Sequence, residues 1–208
     1  MADGREDSEL LAAWREGDAR AGRRLVERYL SAIGRFFSNK VAETHEAEDL
    51  TADTFARLSD SLRRFRGESS VRTFLFAIAH NVFREYVRRQ QRDAARQRPL
   101  ETMADLGPSP SVMFAKHDEQ RLLLHALRAL PYDLQVILEL SFFEEMPRSE
   151  IARVVGEPAG TVAGRLTKAR ARLGEELARL SRSRELLEST TTDLEGWARA
   201  LRDSLFPE

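Results

Sequence analysis

Apolar residues recur along most of the chain with the period of an α-helix. In the segment LVERYLSAIGRFFSNK, Leu25, Tyr29, Ile33 and Phe37 repeat every four residues, which places them on one face of a helix. No segment shows the alternation of apolar and polar residues that is typical of a half-buried strand. The pattern therefore predicts an all-α fold.

Four helical segments are predicted within residues 1–93. The first runs from about Ser8 to Arg15, the second is the segment that begins at Leu25, and the third begins near His45. The fourth is SSVRTFLFAIAHNVFREYVRRQQRD, and its predicted core stripe is Phe74, Ile78 and Val82. We interpret these segments as one small helical domain.

The helical pattern stops between residues 94 and 114. The stretch QRPLETMADLGPSPS contains three prolines and a glycine, which favours a flexible linker. Helices resume at about Ala115. Pro131, Pro147 and Pro158 then separate four short helices, because proline is tolerated in a first helical turn but not in a helix interior. Residues 115–180 are therefore predicted to form a second small helical domain.

The last residues, 181–208, form a C-terminal extension with a final amphipathic helix. Thr192 and Glu195 have the spacing of a capping box at its start. We expect the extension to dock on the basic surface of the second domain or on a regulator; the alternative is a helix that only completes packing. The residues that share the apolar face of the final helix are Leu194, Trp197, Leu201 and Leu205.

Composition excludes several classes of protein. The chain has 208 residues, 42% of them hydrophobic, and no cysteine, so disulfides, thiolate metal sites and thiol nucleophiles are absent. No apolar run is long enough to cross a bilayer, and the acidic start MADGREDSE lacks the order of a signal peptide. We expect a cytoplasmic protein without membrane insertion.

The net charge of −1 hides a strong segregation of charge along the chain. Residues 63–98 contain ten Lys and Arg against three acids, and residues 160–184 contain seven against two. Residues 43–60, by contrast, contain six acids and one base. Two separate basic blocks predict two contact sites on a polyanion.

The second basic block belongs to a helix-turn-helix pattern. Ile151, Val154 and Val155 form the apolar side of a short helix, Gly156 is placed to end it, and residues 157–160 connect it to the next helix. Such a second helix enters the major groove with its N-terminal residues nearest the bases. The predicted contacts are Thr161, Arg165, Lys168, Arg170 and Arg172, with Arg165 suited to guanine and the last three to phosphates.

The string LPYDLQVILELSFFEEMPRSEIARVVGEPAGTVAGRLTKARARL, residues 130–173, resembles region 4 of bacterial sigma factors. The resemblance is greatest to the extracytoplasmic-function (ECF) group, and it implies recognition of the −35 promoter element. Ala163 and Gly164 stand where the family often has Lys-Ser. This departure removes a phosphate contact and places a weak helix former inside the helix, so the base preference stays open.

The segment AEDLTADTFARL resembles the region 2 helix with which sigma factors dock on a coiled coil of the RNA polymerase clamp. Ala52 and Asp53 replace the common Gln-Glu pair. The acids at positions 46, 49 and 53 share one helix face, which complements a basic partner, although a solvated acidic face is the alternative. The resemblance implies polymerase contacts by Glu46, Asp49, Leu50 and Asp53.

The segment FRGESSVRTFLFAIAHNVFREYVRR resembles the adjoining part of region 2, which melts and captures the −10 element. Phe74 stands where the family often has Trp. Residues 65–70 are the candidate pocket for a flipped base, although Phe65 and Phe74 are also candidates for the core. The predicted −10 contacts are Arg63, Arg64, Phe65, Arg66, Gly67, Glu68, Ser70, Asn81, Arg84 and Arg88.

Together the resemblances imply a sigma factor that binds core RNA polymerase and promoter DNA and is held inactive by an anti-sigma protein. No catalytic residue, metal site or cofactor is predicted, since the four histidines are dispersed and His45 and Asp49 make only a two-ligand pair. Two alternatives stay open. One is a helix-turn-helix regulator whose first domain senses a partner or ligand, and the other is a decoy that binds polymerase without melting DNA.

Overall fold

The computed structural model describes residues 2–94, 102–106 and 109–205. These residues form helices, turns and loops without a strand, apart from one isolated bridge between Thr102 and Pro131. None of their helices is long and apolar enough to cross a membrane. The predicted all-α class is confirmed.

The first domain contains four helices: α1 (Ala2–Arg15), α2 (Ala19–Ser38), α3 (Thr44–Ser61) and α4 (Val71–Ala94), with a 3-10 turn at Leu62–Arg64. Asp18 caps α2 by accepting hydrogen bonds from the backbone N–H groups of Arg20 and Ala21. The predicted stripe of α2 is confirmed, because Leu25, Tyr29, Ile33 and Phe37 are all buried.

The predicted core stripe of α4 needs a correction. Phe74 and Ile78 are only partly buried, and Val82 alone of the three is fully buried. The helix packs against α3 on one side and against α8 of the second domain on another, so burial spreads around its circumference. The buried apolar residues of α4 are Val71, Leu75, Phe76, Ala79, Val82, Phe83 and Val87.

The described part of the linker is ordered and packed. It contains a 3-10 turn at Met103–Leu106 and the short helix α5 (Pro110–Phe114). Met103 is buried, and its carbonyl accepts a 2.6 Å hydrogen bond from Arg128 of the second domain. Ser109 is 3.2 Å from Asn39 of the first domain. These residues therefore join both domains; the predicted linker residues 95–101 and 107–108 lie outside the described ranges.

The second domain contains α6 (Asp118–Arg128), α7 (Tyr132–Phe142), α8 (Arg148–Val155) and α9 (Ala159–Leu180). Pro131, Pro147 and Pro158 are the N-cap residues of α7, α8 and α9, which agrees with the predicted boundaries. Gly156 ends α8 with φ of 73°, a left-handed conformation that glycine adopts without steric cost.

The C-terminal extension forms α10 (Arg184–Thr192) and α11 (Leu194–Leu205). Both pack mainly on α6, and α11 also contacts α5 and α7. The predicted capping box at Thr192 is wrong, because Thr192 is the last residue of α10 and Asp193 accepts the hydrogen bond from the Gly196 N–H. On α11, Leu201 is buried and Leu194 and Trp197 are partly buried, whereas the side chain of Leu205 lies outside the described part.

Candidate polymerase and promoter surfaces

The helix-turn-helix is formed by α8 and α9, joined by the tight connection from Gly156 to Pro158. One face of α9 is buried against α6, α7 and α8. Because that face is fixed in the core, the opposite face of α9 is directed toward solvent. The buried stripe consists of Val162, Leu166, Ala169, Leu173 and Leu177.

Most residues predicted to contact the −35 element lie on the outward face of α9, but Arg170 flanks the buried stripe, with its guanidinium 5.4 Å from the centre of the Phe142 ring. Thr161, Lys168, Arg170 and Arg172 are exposed. Arg165 is the exception, because its side chain is 35% exposed and its guanidinium lies 2.8 Å from Glu157 and 3.4 Å from Asp133. In this structure Arg165 therefore forms ion pairs with two carboxylates of its own domain.

Two glycines lie on the same outward face. A Cβ atom built at Gly160 or Gly164 would meet nothing within 4 Å. The departure from the family pattern at position 164 is therefore not forced by packing. It leaves open space on the face that carries Lys168 and Arg172.

A groove of about 410 Å³ runs between the end of α3 and the middle of α4. Asn81, Arg84, Arg88 and Arg64, four residues predicted for the −10 element, line it together. Ile78, which the predicted core stripe had placed inside, lies in the wall of this groove. The structure thus adds one apolar side chain to the predicted polar and basic track.

Carboxylates partly neutralise the edge of this groove. Arg57 donates to both carboxylate oxygens of Glu85 at 2.8 Å and to Asp53 at 2.9 Å. These hydrogen bonds raise the pKa of Arg57. The hydrogen bonds between Arg57 and Glu85 also lower the pKa of Glu85. Because Arg57 takes up both acids, Arg84 and Arg88 keep their charge available to a polyanion.

The loop of residues 65–70 only partly exposes its aromatic side chain. The rings of Phe65 and Phe74 pack with centroids 5.1 Å apart, and both are half-buried. Ser70 accepts a 3.1 Å hydrogen bond from the Thr73 N–H, so it caps the first turn of α4. The exposed residues of the predicted −10 set are Arg63, Arg64, Arg66, Gly67, Glu68, Asn81 and Arg88.

The acids predicted to bind polymerase are in different environments. Asp49 is exposed, Leu50 is buried in the core, and Asp53 is bound to Arg57. Glu46 accepts from the Tyr86 hydroxyl at 2.9 Å and from the Glu43 N–H at 3.2 Å, so it closes the N-terminus of α3. Asp49 is therefore the member of this set whose carboxylate is directed to solvent.

An apolar groove of about 590 Å³ between α2 and α3 was missed from the sequence. Val26, Leu30, Ala47 and Phe55 line it, and the exposed Glu48 lies at its edge. Leu30 is 49% exposed, more than any other large hydrophobic residue of known exposure in the described ranges. The sequence did contain a signal for this groove. Leu30 is an apolar residue that lies next to the predicted stripe, which contains Tyr29, and not on it.

The described residues contain no group of three or more His, Cys, Asp or Glu side chains able to hold a metal ion. His45 and Asp49 therefore have no third ligand there. His80 is buried on α4, and burial lowers its pKa to about 4, with smaller effects from Arg84 and Lys40.

Comparison with known proteins identifies both domains. The model of Sigma-70 region 2 matches residues 25–93, and that of Sigma-70 region 4 matches residues 120–173. The ECF RNA polymerase sigma-E factor of Haemophilus influenzae is 27% identical over 179 residues, covering 82% of this chain and 94% of that protein. The chain is an ECF sigma factor. It therefore directs promoter-specific initiation by RNA polymerase.

Other relatives agree with the assignment of this sigma factor. The RNA polymerase sigma-H factor of Pseudomonas aeruginosa is 29% identical over 187 residues, covering 85% of this chain and 96% of that protein. The structure of CnrH in complex with the cytosolic domain of CnrY aligns with a TM-score of 0.64 at 25% identity, covering 85% and 99% of the two chains. The sigma factor RpoE of Bartonella quintana, solved with the anti-sigma factor NepR, shares the fold at a TM-score of 0.60 and 22% identity, covering 77% and 98% of the two chains.

Proposed function

We propose that this sigma factor divides promoter recognition between α9, which binds the −35 duplex, and the groove between α3 and α4, which holds the −10 strand. The observation that carries the proposal is the outward face of α9. Lys168 and Arg172 are exposed there while the opposite stripe is buried, so the helix is fixed to the domain with its basic face open. A helix presented in this way fits the major groove.

On α9 the side chains have different tasks. Arg165 offers its two-pronged guanidinium to guanine once it leaves Glu157 and Asp133. Lys168, Arg170 and Arg172 hold phosphates and set the register, and Thr161 lies at the N-terminal end near the bases. Arg165 can move from the carboxylate to DNA by a local side-chain change, because Glu157 belongs to the connection immediately before α9.

Opening of the −10 element needs help from polymerase. Extracting a base from the stack costs a few kcal/mol, and stacking on a protein returns about 1 to 3 kcal/mol per base. The proposed contacts are the cationic groove with Asn81, Arg84 and Arg88, and the loop of residues 65–70. The free energy gained by stacking and the free energy lost by extraction are similar. The sigma factor alone therefore opens DNA poorly, and efficient opening requires that it is bound to polymerase.

The polymerase surface is α3 together with the apolar groove beside it. Glu48 and Asp49 offer exposed carboxylates, and Leu30 offers an exposed apolar side chain next to them. A helical partner with basic and apolar residues satisfies both features. Glu46, Leu50 and Asp53 support this surface by capping α3, filling the core beneath it and pairing with Arg57.

An anti-sigma protein is the proposed regulator, since the sigma factor RpoE of Bartonella quintana was solved with the anti-sigma factor NepR. CnrH was likewise solved with a partner, the cytosolic domain of CnrY. The sigma factor acts in the cytoplasm, where polymerase and DNA are found. Its own residues carry no catalytic step in this proposal, because they position DNA and polymerase while polymerase performs the chemistry.

Reconstituted transcription tests the proposal. Core polymerase without a sigma subunit is mixed with this chain and genomic DNA, and the transcript starts are sequenced. We expect starts that share a −35 and a −10 sequence, and Arg165→Ala and Asn81→Ala should each reduce them. Arg179→Ala is the matched control, since Arg179 is exposed at the far end of α9.

Absence of specific starts with the unmodified chain would contradict the proposal. Binding of the unmodified chain to core polymerase without permanganate reactivity of promoter thymines would favour a decoy that binds polymerase without melting DNA. Full open-complex formation by Asn81→Ala and Arg66→Ala would remove these two residues from the proposed −10 contacts.

A further inference from the structure

Helix α1 is firmly attached to the first domain, although it precedes the part of the chain that the Sigma-70 region 2 model matches. Glu6 of α1 lies 2.9 Å from Arg24 and 2.8 Å from Arg28 of α2. Asp7 is buried, accepts a 2.6 Å hydrogen bond from Arg28 and also accepts one from the Tyr29 hydroxyl. These contacts fix the first half of α1 against α2.

A glycine of α2 lets the second half of α1 approach closely. Gly22 is buried within α2, and a Cβ atom built there would lie 2.6 Å from the indole ring of Trp14. Because carbon atoms pack about 3.5 to 4.0 Å apart, any side chain at position 22 would displace Trp14. Helix α1 also contacts the 3-10 turn Leu62–Arg64. Its C-terminal end is therefore held beside the loop of residues 65–70.

A pocket of about 450 Å³ lies between α1 and this loop. Its walls combine apolar side chains with two cations. Leu11 is buried and Phe65 is half-buried, whereas Arg15 and Arg66 are exposed. We call this site the α1 pocket, and its lining includes Leu11, Ala12 and Arg15 of α1 and Phe65, Arg66 and Gly67 of the loop.

The two cations of the α1 pocket are unpaired within the described ranges. Arg15 and Arg66 form no ion pair with a carboxylate there, whereas Arg28 and Arg57 of the same domain each bind two carboxylates. Three cations that line the groove between α3 and α4 are also unpaired in this part of the chain: Arg64, Arg84 and Arg88. A cation without a carboxylate partner keeps its charge available, so the α1 pocket favours an anionic ligand.

An aromatic ring flanked by cations is the arrangement that binds single-stranded nucleic acid. A base of any identity can stack on an aromatic face, while cations follow the phosphates of the strand. In the α1 pocket Phe65 offers the ring, Leu11 and Ala12 offer apolar surface, and Arg15 and Arg66 offer the positive charge. Duplex DNA keeps its bases stacked on one another. The ligand that fits the pocket is therefore an unpaired nucleotide.

The α1 pocket adjoins the groove proposed for the −10 strand. Arg64 lines that groove, and the next two residues, Phe65 and Arg66, line the α1 pocket. Because consecutive Cα atoms are only about 3.8 Å apart, one short stretch of backbone separates the two cavities. A DNA strand that leaves the groove therefore reaches the pocket within about two nucleotides.

We propose that the α1 pocket binds one unpaired nucleotide of the promoter next to the −10 element, with its base against Phe65 and its phosphates on Arg15 and Arg66. Helix α1 thereby extends the DNA-binding surface beyond the part of the chain that the region 2 model matches. The inference rests on the proposed function, because the strand must first be opened and held in the groove between α3 and α4.

Binding of a forked promoter DNA to the holoenzyme tests the pocket. The full chain is combined with core polymerase, and the fork has a single-stranded non-template strand from the −10 element onward, taken from a promoter that the transcription assay identifies. Arg15→Ala should weaken binding by about three- to tenfold and lower the slope of log affinity against log salt concentration by about 0.7, as expected for one lost phosphate contact on a single strand. Arg23→Ala is the matched control, since this exposed arginine of α2 does not line the pocket, and it should change affinity by less than about twofold.

Changes in the single strand locate the nucleotide. Neutral methylphosphonates are placed one at a time, and one of them should weaken binding of the unmodified chain but not of Arg15→Ala. An abasic site beside that phosphate should weaken binding by about five- to tenfold, because one stacked base is lost. Phe65→Leu, which removes the ring but keeps an apolar side chain, should abolish most of the abasic effect.

Several results would overturn the proposal. These are equal binding by Arg15→Ala and the unmodified chain, an equal loss for Arg23→Ala, and additive effects of Arg15→Ala with every methylphosphonate. An abasic effect that is absent, or that Phe65→Leu leaves unchanged, overturns the seating of a base on Phe65.

Two further measurements separate the possible failures. Weaker binding of Arg15→Ala to core polymerase without DNA would assign the pocket to a segment of polymerase and overturn the proposal. If Asn81→Ala weakens binding to the fork while Arg15→Ala does not, the groove between α3 and α4 is supported and the α1 pocket is overturned. If the unmodified holoenzyme does not bind the fork at all, the proposed function itself fails.

Discussion

Ion pairs between the two domains and the outward face of α9 use the same residue types in opposite environments. We call the first group, Arg35, Lys40, Arg72, Glu139 and Glu144, the inter-domain clasp. Arg35 and Lys40 are buried against Glu144 and Glu139, whereas Arg165 is 35% exposed beside Glu157 and Lys168 is exposed. In the clasp each cation is committed to one partner, because an unpaired buried charge is costly. On α9 water competes for every cation, so its carboxylate contacts are weak and can be exchanged for phosphate.

The difference teaches that the position of an arginine in the fold, rather than its presence in a basic block, decides its task. Arg72 lies within the first basic block, yet it donates to Glu144 across the domain boundary. Arg88, in the same block, lines the groove proposed for the −10 strand. A charge count along the sequence treats the two alike.

The largest expected effect is on Lys40. Lys40→Met leaves Glu139 buried without its cation. We therefore expect the free energy of unfolding to fall by about 3 to 5 kcal/mol. Lys40→Met combined with Glu139→Gln should recover more than half of that loss. Urea unfolding of the four chains of this double-mutant cycle measures the coupling; additive losses would show that the pair does not interact.

The pH dependence of stability should differ from the pH dependence of DNA binding by α9, because His80 lies on α4 of the first domain. Burial holds the pKa of His80 at about 4. The unfolded chain binds this proton near pH 6.5, so the contribution of His80 is fully present above pH 6.5 and is lost as pH falls toward 4. Between pH 7 and pH 5 we expect a loss of about 2 kcal/mol in the free energy of unfolding.

His80→Leu should flatten this dependence in urea unfolding curves. Helix α9 contains no histidine, so binding of a −35 duplex should be independent of His80 over the same range. An equal slope in the variant and the unmodified chain would assign the acid sensitivity to other groups.

The next effect is on Arg165. Arg165→Ala should weaken binding to the −35 duplex by about tenfold, equivalent to about 1.4 kcal/mol, and relax the preference for guanine at one position. Stability should change little, because only partly exposed ion pairs are lost. Fluorescence anisotropy with single-base variants of the duplex provides the measurement, and a uniform loss across all variants would make Arg165 a phosphate contact.

The smallest effect is expected for Lys168. Lys168→Ala should weaken all duplexes alike and lower the slope of log affinity against log salt concentration by about one. Lys116→Ala serves as the control, because this exposed lysine precedes α6 on another part of the second domain. An unchanged salt slope would remove Lys168 from the DNA surface.

The fold was largely predictable because most helices have one buried face. The buried stripe of α2 was predicted from the helical period of its apolar residues. The starts of α7, α8 and α9 were predicted from their prolines, which are not tolerated in a helix interior. The stripe of α4 was misassigned because this helix is covered on more than one side, which spreads apolar residues around it. The cap of α11 was displaced by one residue because Asp193, which follows Thr192, accepts the bond itself.

The candidate surfaces were predictable as segments, but not the environment of each residue. The sequence placed Asn81, Arg84 and Arg88 on one face, and the structure brings them to one groove. It did not show that Ser70 caps α4, or that Leu30 and Phe55 line one groove from two helices. The clasp left a faint signal, since Gln135 and Glu139 interrupt an apolar helix at a spacing of four, but their partners are about a hundred residues away.

The open space at Gly164 affects how such proteins diverge. Since a Cβ there meets nothing within 4 Å, packing does not require glycine at this position, and most residues would favour the helix over glycine. A substitution at Gly164 therefore changes the outward face of α9 without a steric cost to the helix packing beneath it. We expect duplicated copies of this gene to tolerate different residues at this position while the scaffold stays intact.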